Sequence, residues 1–309
     1  MKRNKLIKRI RRDVSYVIIR SAIGFFRLLP RKAALALGSA IGRIIPFVAR
    51  KEYRLAREHL TIAFGAEKST GEIRRLARDT FRHTAMNFVD TVRLRSMGPD
   101  EVKQVCIPHG MDHLWKALAE GHGVIGLTSH TGCWELLGVY LAVSGVPTSA
   151  IGARLYDPRL EKMLLDTRTG SGMRNISRGE NTRDVIRVLK EGFLLGILID
   201  QDTKVKGEFV DFFGKPSHTA VGPAQLALKY HAPIVPIFTY RDARHYHHAC
   251  IGEALSFEPT GNHDRDVIAL TSLCSNATET FIAEHPEQWV WFHERWKKTP
   301  GELNNNVPG

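Results

Sequence analysis

Beyond Pro99 the chain alternates short apolar runs with stretches of helical spacing, and this alternation leaves few folds open. Residues 123–129 read as a buried strand, and residues 148–153, 194–199 and 234–239 as further strands. Residues 133–143, 158–167, 182–191 and 221–230 carry helical spacing between them. Continuous apolar strands interleaved with helices predict an α/β fold, a central mixed sheet flanked by helices on its faces. No internal repeat, low-complexity tract or long linker interrupts residues 51–309, so they are expected to form one domain. With 309 residues, 43% of them hydrophobic, the chain can bury a real core.

The first fifty residues have a different texture. Lys2, Arg3, Lys5, Lys8, Arg9, Arg11 and Arg12 precede a mostly apolar stretch at residues 14–29. Arg20 and Arg27 interrupt that stretch, which argues against both a secretory signal and a clean membrane span. Residues 33–48 repeat the pattern after Pro30, with Leu35, Leu37, Ile41, Ile44, Ile45 and Val48 beside Arg43. Two readings stay open: a helical hairpin lying on an anionic membrane, or two amphipathic helices packed on the protein's own core. Residues 1–50 are taken as a basic, apolar, membrane-associating helical segment ahead of a domain at residues 51–309. Within residues 51–94 the pattern is helical, and Ser69, Thr70, Gly71 and Glu72 form a start signal of the capping-box type.

A net charge of +12 favours anionic partners but does not choose among nucleic acid, acidic headgroups and phosphorylated substrates. No RNP-like, helix-turn-helix or zinc-finger pattern supports nucleic acid. Cys106, Cys133, Cys250 and Cys274 are scattered without CxxC pairing and read as free thiols in a reducing compartment.

The chemistry concentrates at Ser129, His130, Thr131, Gly132, Cys133, Trp134 and Glu135. His130 falls where the first strong strand ends and a helix begins, the place where open α/β sheets bind ligands. Glu135 follows about one helical turn later, so its carboxylate can fold back, accept a hydrogen bond from one ring nitrogen and leave the other as a base. Such a base lets a hydroxyl attack an acyl thioester without a nucleophilic Ser or Cys. Three other readings exist. Cys133 could act as a thiolate activated by His130, although a Cys beside a Trp is commonly packing material. A zinc site is disfavoured by the lack of an H-E-x-x-H motif. His130 could simply cap a helix.

The segment fits an H-x-x-x-x-D/E pattern, and further blocks accompany it. They are Ile199, Asp200, Gln201 and Asp202 followed by the aromatic residues 207–216; residues 219–227 with Pro233 and Pro236; and a closing run at residues 286–297 that holds Trp289, Trp291, His293, Arg295 and Trp296. In this order they resemble the lipid A biosynthesis acyltransferases, the late acyltransferases of the larger lysophospholipid acyltransferase superfamily. The resemblance implies His130 as general base, Glu135 as its orienting partner and a lipid hydroxyl as acceptor. It also implies an acyl-carrier-protein or coenzyme A thioester as donor, an anionic glycolipid acceptor, and no metal or prosthetic group. Arg168 and Asp200 stand where the family has important Arg and Asp residues. Arg168 would bind an acceptor phosphate or a developing oxyanion, and Asp200 and Asp202 would orient an arginine or a sugar hydroxyl. Arg154 is a further anion-binding candidate. No Glu-Gly-Thr-Arg phosphate block occurs, so a glycerol-3-phosphate acceptor is disfavoured. With the basic N-terminus, the resemblance implies a place on the cytoplasmic face of an inner membrane.

Overall fold

The structure, a computed structural model, describes residues 2–152, 154–177 and 182–300; the basic side chains of residues 2–11 and Ala153, the expected end of a strand, lie outside the described residues. In chain order the strands are β1 (Cys106–His109), β2 (Val124–Thr128), β3 (Thr148–Gly152), β4 (Arg174–Ser177), β5 (Leu194–Leu198), β6 (Gly207–Phe212), β7 (Lys215–Ala220), β8 (Ile234–Arg241) and β9 (His247–Ile251). The helices are α1 (Lys2–Leu28), α2 (Arg31–Val48), α3 (Arg50–Phe64), α4 (Thr70–Arg93), α5 (Pro99–Gln104), α6 (Met111–Ala119), α7 (Trp134–Val143), α8 (Pro158–Gly170), α9 (Thr182–Lys190), α10 (Gly222–Tyr230) and α11 (His263–Glu284). A seven-stranded sheet runs in the order β1, β9, β8, β2, β5, β3, β4. The run from β8 to β4 is parallel, and β9 is antiparallel to β8, so the sheet is mixed as the sequence predicts. The aromatic block at residues 207–216 lies in a separate antiparallel hairpin of β6 and β7 that runs on to Ala220.

Alternation along the central strands divides the core. Val124 and Leu194 join α5, α6 and α7 on one face, while Ile125, Leu127 and Leu195 join α9, α10 and α11 on the other. Burying each such aliphatic side chain contributes roughly 1.5–3 kcal/mol, which is why β2 tolerates no polar residue at these positions. Its C-terminal end is thereby fixed at the rim of the sheet.

The N-terminal helices dock on α4 rather than on each other. Ile23 and Phe26 of α1 and Ala34 and Leu35 of α2 are buried against Met86, Val89 and Val92 of α4. Gly38 and Gly42 permit the approach: a Cβ at Gly38 would stand 2.8 Å from Val89 Cγ2, and one at Gly42 would stand 2.6 Å from the Arg82 Cα. One of the two arginines that interrupt the apolar stretch is a tether, since Arg27 Nε donates to the Val92 carbonyl at 2.8 Å. The opposite faces stay exposed, with Val17, Ile18, Phe25 and Leu28 on α1 and Ile44, Phe47 and Val48 on α2. Each helix therefore packs on the core along one face and presents apolar side chains along another. Among the described residues no single helix is long and apolar enough to cross a membrane; α2 and α3 pass that test only as a pair bent by 94°. The expected start of α4 is a complete capping box: Ser69 N donates to Glu72 Oε2 at 2.9 Å, and Glu72 N donates to Ser69 Oγ at 3.4 Å.

Candidate active site

The loop from Ser129 to Cys133 carries His130 from β2 into α7. Gly132 has φ +51, and a Cβ there would run into the Thr239 carbonyl, so the turn requires glycine. The loop is pinned from behind. Asn87 Nδ2 donates to the Gly132 carbonyl at 2.7 Å, and Gly132 N donates to the Gln288 carbonyl at 3.2 Å. Asn87 is itself held by Arg241 Nη2, which donates to its Oδ1 at 2.7 Å.

The parallel register then selects the partner of His130. Thr128 of β2 lies opposite Leu198 of β5, and continuing the register by two residues brings His130 beside Asp200. His130 Nδ1 is 2.8 Å from Asp200 Oδ1, and the His130 backbone N–H donates to Asp200 Oδ2 at 2.7 Å. Trp289 Nε1 donates to the same Oδ2 at 2.7 Å. Asp200 is only 1% exposed. Burial alone would raise its pKa, yet the adjacent His130 charge and the three hydrogen bonds outweigh it and hold the carboxyl at about 2. A carboxylate so fixed accepts Nδ1–H and leaves Nε2 as the basic nitrogen. His130, 20% exposed at its side chain, also meets the Trp134 ring edge-on at 4.9 Å.

The expected pairing of His130 with Glu135 is corrected by this arrangement. Glu135, in the first turn of α7, faces Arg168 in the last turn of α8. Arg168 Nε donates to Glu135 Oε2 at 2.9 Å and Nη2 donates to Oε1, a bidentate pair. Arg168 Nη1 donates to Asn175 Oδ1 at 3.0 Å. Sequence nearness favours Glu135 as orienter of the imidazole, but strand register delivers Asp200 to the Nδ1 side first. Both members of the Glu135–Arg168 pair are 12% exposed at the side chain. Replacing Arg168 by alanine is therefore expected to destabilise the protein by about 2–3 kcal/mol in urea unfolding, somewhat below the cost of breaking a fully buried pair. Adding Glu135→Gln should recover part of that loss; strict additivity of the two changes would mean that the pair is uncoupled.

The remaining expected site residues are more distant in role. Asp202 Oδ1 accepts from Lys298 Nζ at 2.7 Å and lies 3.1 Å from His218 Nδ1, so it anchors the C-terminal segment. Arg154 is exposed beside Leu155. Cys133 is buried, and burial with the nearby Asp90 pushes its thiol up to about 11, the opposite of what a thiolate nucleophile needs. Among the described residues no group of three or more His, Cys, Asp or Glu could hold a metal ion. Asn87 and Gln288 are site-building residues that sequence reasoning does not single out, and Trp289 enters it only as part of the closing block, with no role assigned. The density of tryptophan in residues 286–297 is the one signal that could have pointed to Trp289.

Two apolar cavities meet at this point. One of about 440 Å³ lies between α1, α4 and α8, lined among others by Ile19, Ile23, Phe88, Met163 and Val290. The other, of about 340 Å³, runs between α7 and the face of β2, β5 and β3, with Leu141, Met173 and Leu194 in its wall. His130, Trp134 and Glu135 line both, and Arg168 lines the second. The centre thus combines an imidazole held by a carboxylate, an ion pair and two apolar compartments.

Comparison with known proteins agrees with this architecture. A sequence profile of the bacterial lipid A biosynthesis acyltransferases matches residues 4–298. The chain is 28% identical over 192 residues to a phosphatidylinositol mannoside acyltransferase of Mycobacterium tuberculosis, a match covering 60% of this chain and 58% of that protein. It is 25% identical over 261 residues to lipid A biosynthesis acyltransferase 2 of Shigella flexneri, covering 81% of this chain and 79% of the relative. It is 26% identical over 280 residues to the lipid A biosynthesis palmitoleoyltransferase of Escherichia coli, covering 88% and 87%. With a carboxylate-held imidazole at the strand end, apolar compartments around it and a family profile running along nearly all of its length, the chain belongs to the bacterial lipid A biosynthesis acyltransferase family.

Proposed function

We propose that the protein is an O-acyltransferase that moves a fatty acyl group from an acyl-carrier-protein or coenzyme A thioester onto a hydroxyl of a lipid A precursor. The observation that carries this reading is the position of the His130–Asp200 pair at the junction of two apolar cavities. A lipid acceptor and an acyl donor each bring an apolar chain to one reacting carbonyl carbon, so a base between two such compartments has the right neighbours on both sides. In the reaction His130 Nε2 takes the proton of the acceptor hydroxyl as its oxygen bonds to the thioester carbon. The tetrahedral intermediate then expels the thiol, which leaves with the proton from the imidazolium, and an ester remains. Asp200 holds the ring in place and stabilises its charged form. Arg168 uses three of its five N–H donors on Glu135 and Asn175. The other two are directed to the developing negative charge on the carbonyl oxygen or to an acceptor phosphate.

Residues 1–50 serve as the membrane-associating part. The apolar side chains exposed on α1 and α2 enter the acyl boundary while the basic residues meet anionic headgroups, on the cytoplasmic side of the inner membrane. A second reading, another anionic glycolipid as acceptor, is favoured by the likeness to the mycobacterial phosphatidylinositol mannoside acyltransferase.

Mass spectrometry of products tests the choice. The protein is incubated with acyl thioesters and, in separate reactions, lipid A precursors and phosphatidylinositol mannosides. Acylated lipid A precursor is the expected product. Product only from the mannosides would establish the second reading, and no acylated lipid from either class, under conditions where the protein is folded, would sink both.

A further inference from the structure

The cavity between α1, α4 and α8 has a charged rim that the His130 chemistry does not use. Arg20 and Arg27 stand two helical turns apart on α1, so both lie on one flank of that helix, about 10 Å apart along its axis. Arg27 is half-buried and lines the cavity. Its Nε is spent on the Val92 carbonyl, and Arg95 follows three residues beyond Val92, which brings a third guanidinium to the same side. Gathered like charges repel: burial first, then Arg95 and Arg20, hold the Arg27 pKa below the ordinary arginine value.

The protein supplies little negative charge in return. Asp166 meets Arg95 only at 3.5 Å and is already held by Lys162 Nζ at 2.9 Å. Asp13, on the same flank of α1, is taken by Arg159 Nη2 at 2.9 Å. Among the described residues Arg20 has no ion-pair partner, and Arg27 has no acceptor beyond the Val92 carbonyl. Three guanidinia thus share one carboxylate that is engaged elsewhere. A phosphate supplies the missing charge, and its oxygens accept from planar guanidinium forks in pairs.

We infer that Arg20, Arg27 and Arg95 bind the phosphate of the acceptor lipid, whose apolar part enters the cavity between α1, α4 and α8. The inference rests on the acyltransferase reading above and deepens it. Arg168 lines the other cavity, so its two remaining donors are left for the carbonyl oxygen. Bilayer headgroups offer the same phosphate chemistry, but the apolar side chains that α1 exposes, Val17, Ile18 and Phe25, stand on a different flank from Arg20 and Arg27. The arginines face the cavity mouth instead.

The experiment measures affinity, in neutral-detergent micelles free of phospholipid, for a phosphorylated lipid A precursor and for the same lipid after phosphatase treatment. The full chain is compared with the double variant Arg20→Gln/Arg95→Gln, both exposed positions. The wild type should bind the phosphorylated form at least about 10-fold more tightly, the worth of one charge-assisted hydrogen bond. The double variant should lose most of that preference, while its affinity for the dephosphorylated lipid changes little. With an acyl donor present, its KM for the phosphorylated acceptor should rise with kcat nearly constant. A wild type without preference, or a double variant that keeps it, overturns the inference. If the preference is kept in detergent and only sedimentation with anionic phospholipid vesicles weakens, the arginines serve the bilayer surface and the inference is again overturned. Selective binding without acyl transfer by the wild type from any donor is a failure of the acyltransferase reading alone, and because binding needs no turnover the two failures are told apart.

Discussion

His130→Ala is expected to reduce acyl transfer by at least about 10²- to 10⁴-fold, the contribution of a positioned base, while circular dichroism stays close to wild type and the urea midpoint falls because the buried Asp200 carboxylate loses its imidazole partner. The ring is partly exposed at a cavity junction, so its removal leaves no buried partner except Asp200. Asp200→Asn probes the same unit from the other side. The amide can still bond to the His130 and Trp289 N–H groups, but it no longer stabilises an imidazolium and can select the wrong tautomer. A loss in kcat comparable to that of His130→Ala, with KM little changed, is the expected outcome. Activity within a few-fold of wild type in Asp200→Asn would mean that the Nδ1 contact is not used in the reaction. The carboxylate also has a signature of its own. Its folded pKa, about 2, lies below the unfolded value of about 4, so it contributes stability above pH 4 that is lost as pH falls through 2. The asparagine variant should lack that part of the acid dependence.

The contrast between Glu135 and Asp200 explains how far the sequence could be read. His130 is legible because a strand end followed by a helix is a local pattern, and the helical phase of Glu135 is local too. The partner of His130 is decided by which strands lie side by side, and nothing within residues 123–135 states that β5 is the neighbour of β2. Both strands, as expected from their apolar runs, appear within a residue or two, and so do α7, α9 and α10, while α8 runs three residues further than expected, to Gly170. Helix α11 escapes the same treatment for a physical reason. Thr271, Ser275 and Thr278 are buried in it and satisfy their hydroxyls on backbone carbonyls of Val267, Asp211 and Cys274, so its inward face does not read as an apolar stripe. Arg168 is picked out in the sequence by the resemblance alone, and the partner it finds, Glu135, again comes from another helix. Asp202, chosen with Asp200 for its position after the strand, is drawn off by Lys298, whose approach depends on the path of the C-terminal segment.

Asp90→Ala is expected to give the largest loss of stability of any substitution considered for this chain. Asp90 is fully buried at its side chain in α4 and receives Arg31 from α2, Arg241 from β8 and His247 from β9. Removing the carboxylate leaves the equally buried guanidinium of Arg241 without its counter-charge, a change that costs about 3–5 kcal/mol. Because Arg241 also holds Asn87, and Asn87 holds the Gly132 carbonyl, the damage should extend to the His130 loop. Asp90→Asn keeps hydrogen-bond acceptors and should lose less. Urea unfolding at neutral pH measures both, and a change under about 1 kcal/mol for Asp90→Ala would show that the network is not what fastens α4 to the sheet. Acid should strain the same region in the wild type. Burial, with the neighbouring Arg241 charge, holds His247 down to about 4, and burial with Arg82 and Arg241 holds His83 down to about 3. Both folded values lie below the unfolded value of about 6.5, so as pH falls the unfolded chain binds these protons first. Stability is then complete above about pH 6.5 and declines toward pH 4, with a slope of up to about 1.4 kcal/mol per pH unit for each histidine. A flat stability profile between pH 7 and pH 4 would count against a neutral, buried His247, and so against the arrangement of charges that Asp90 organises.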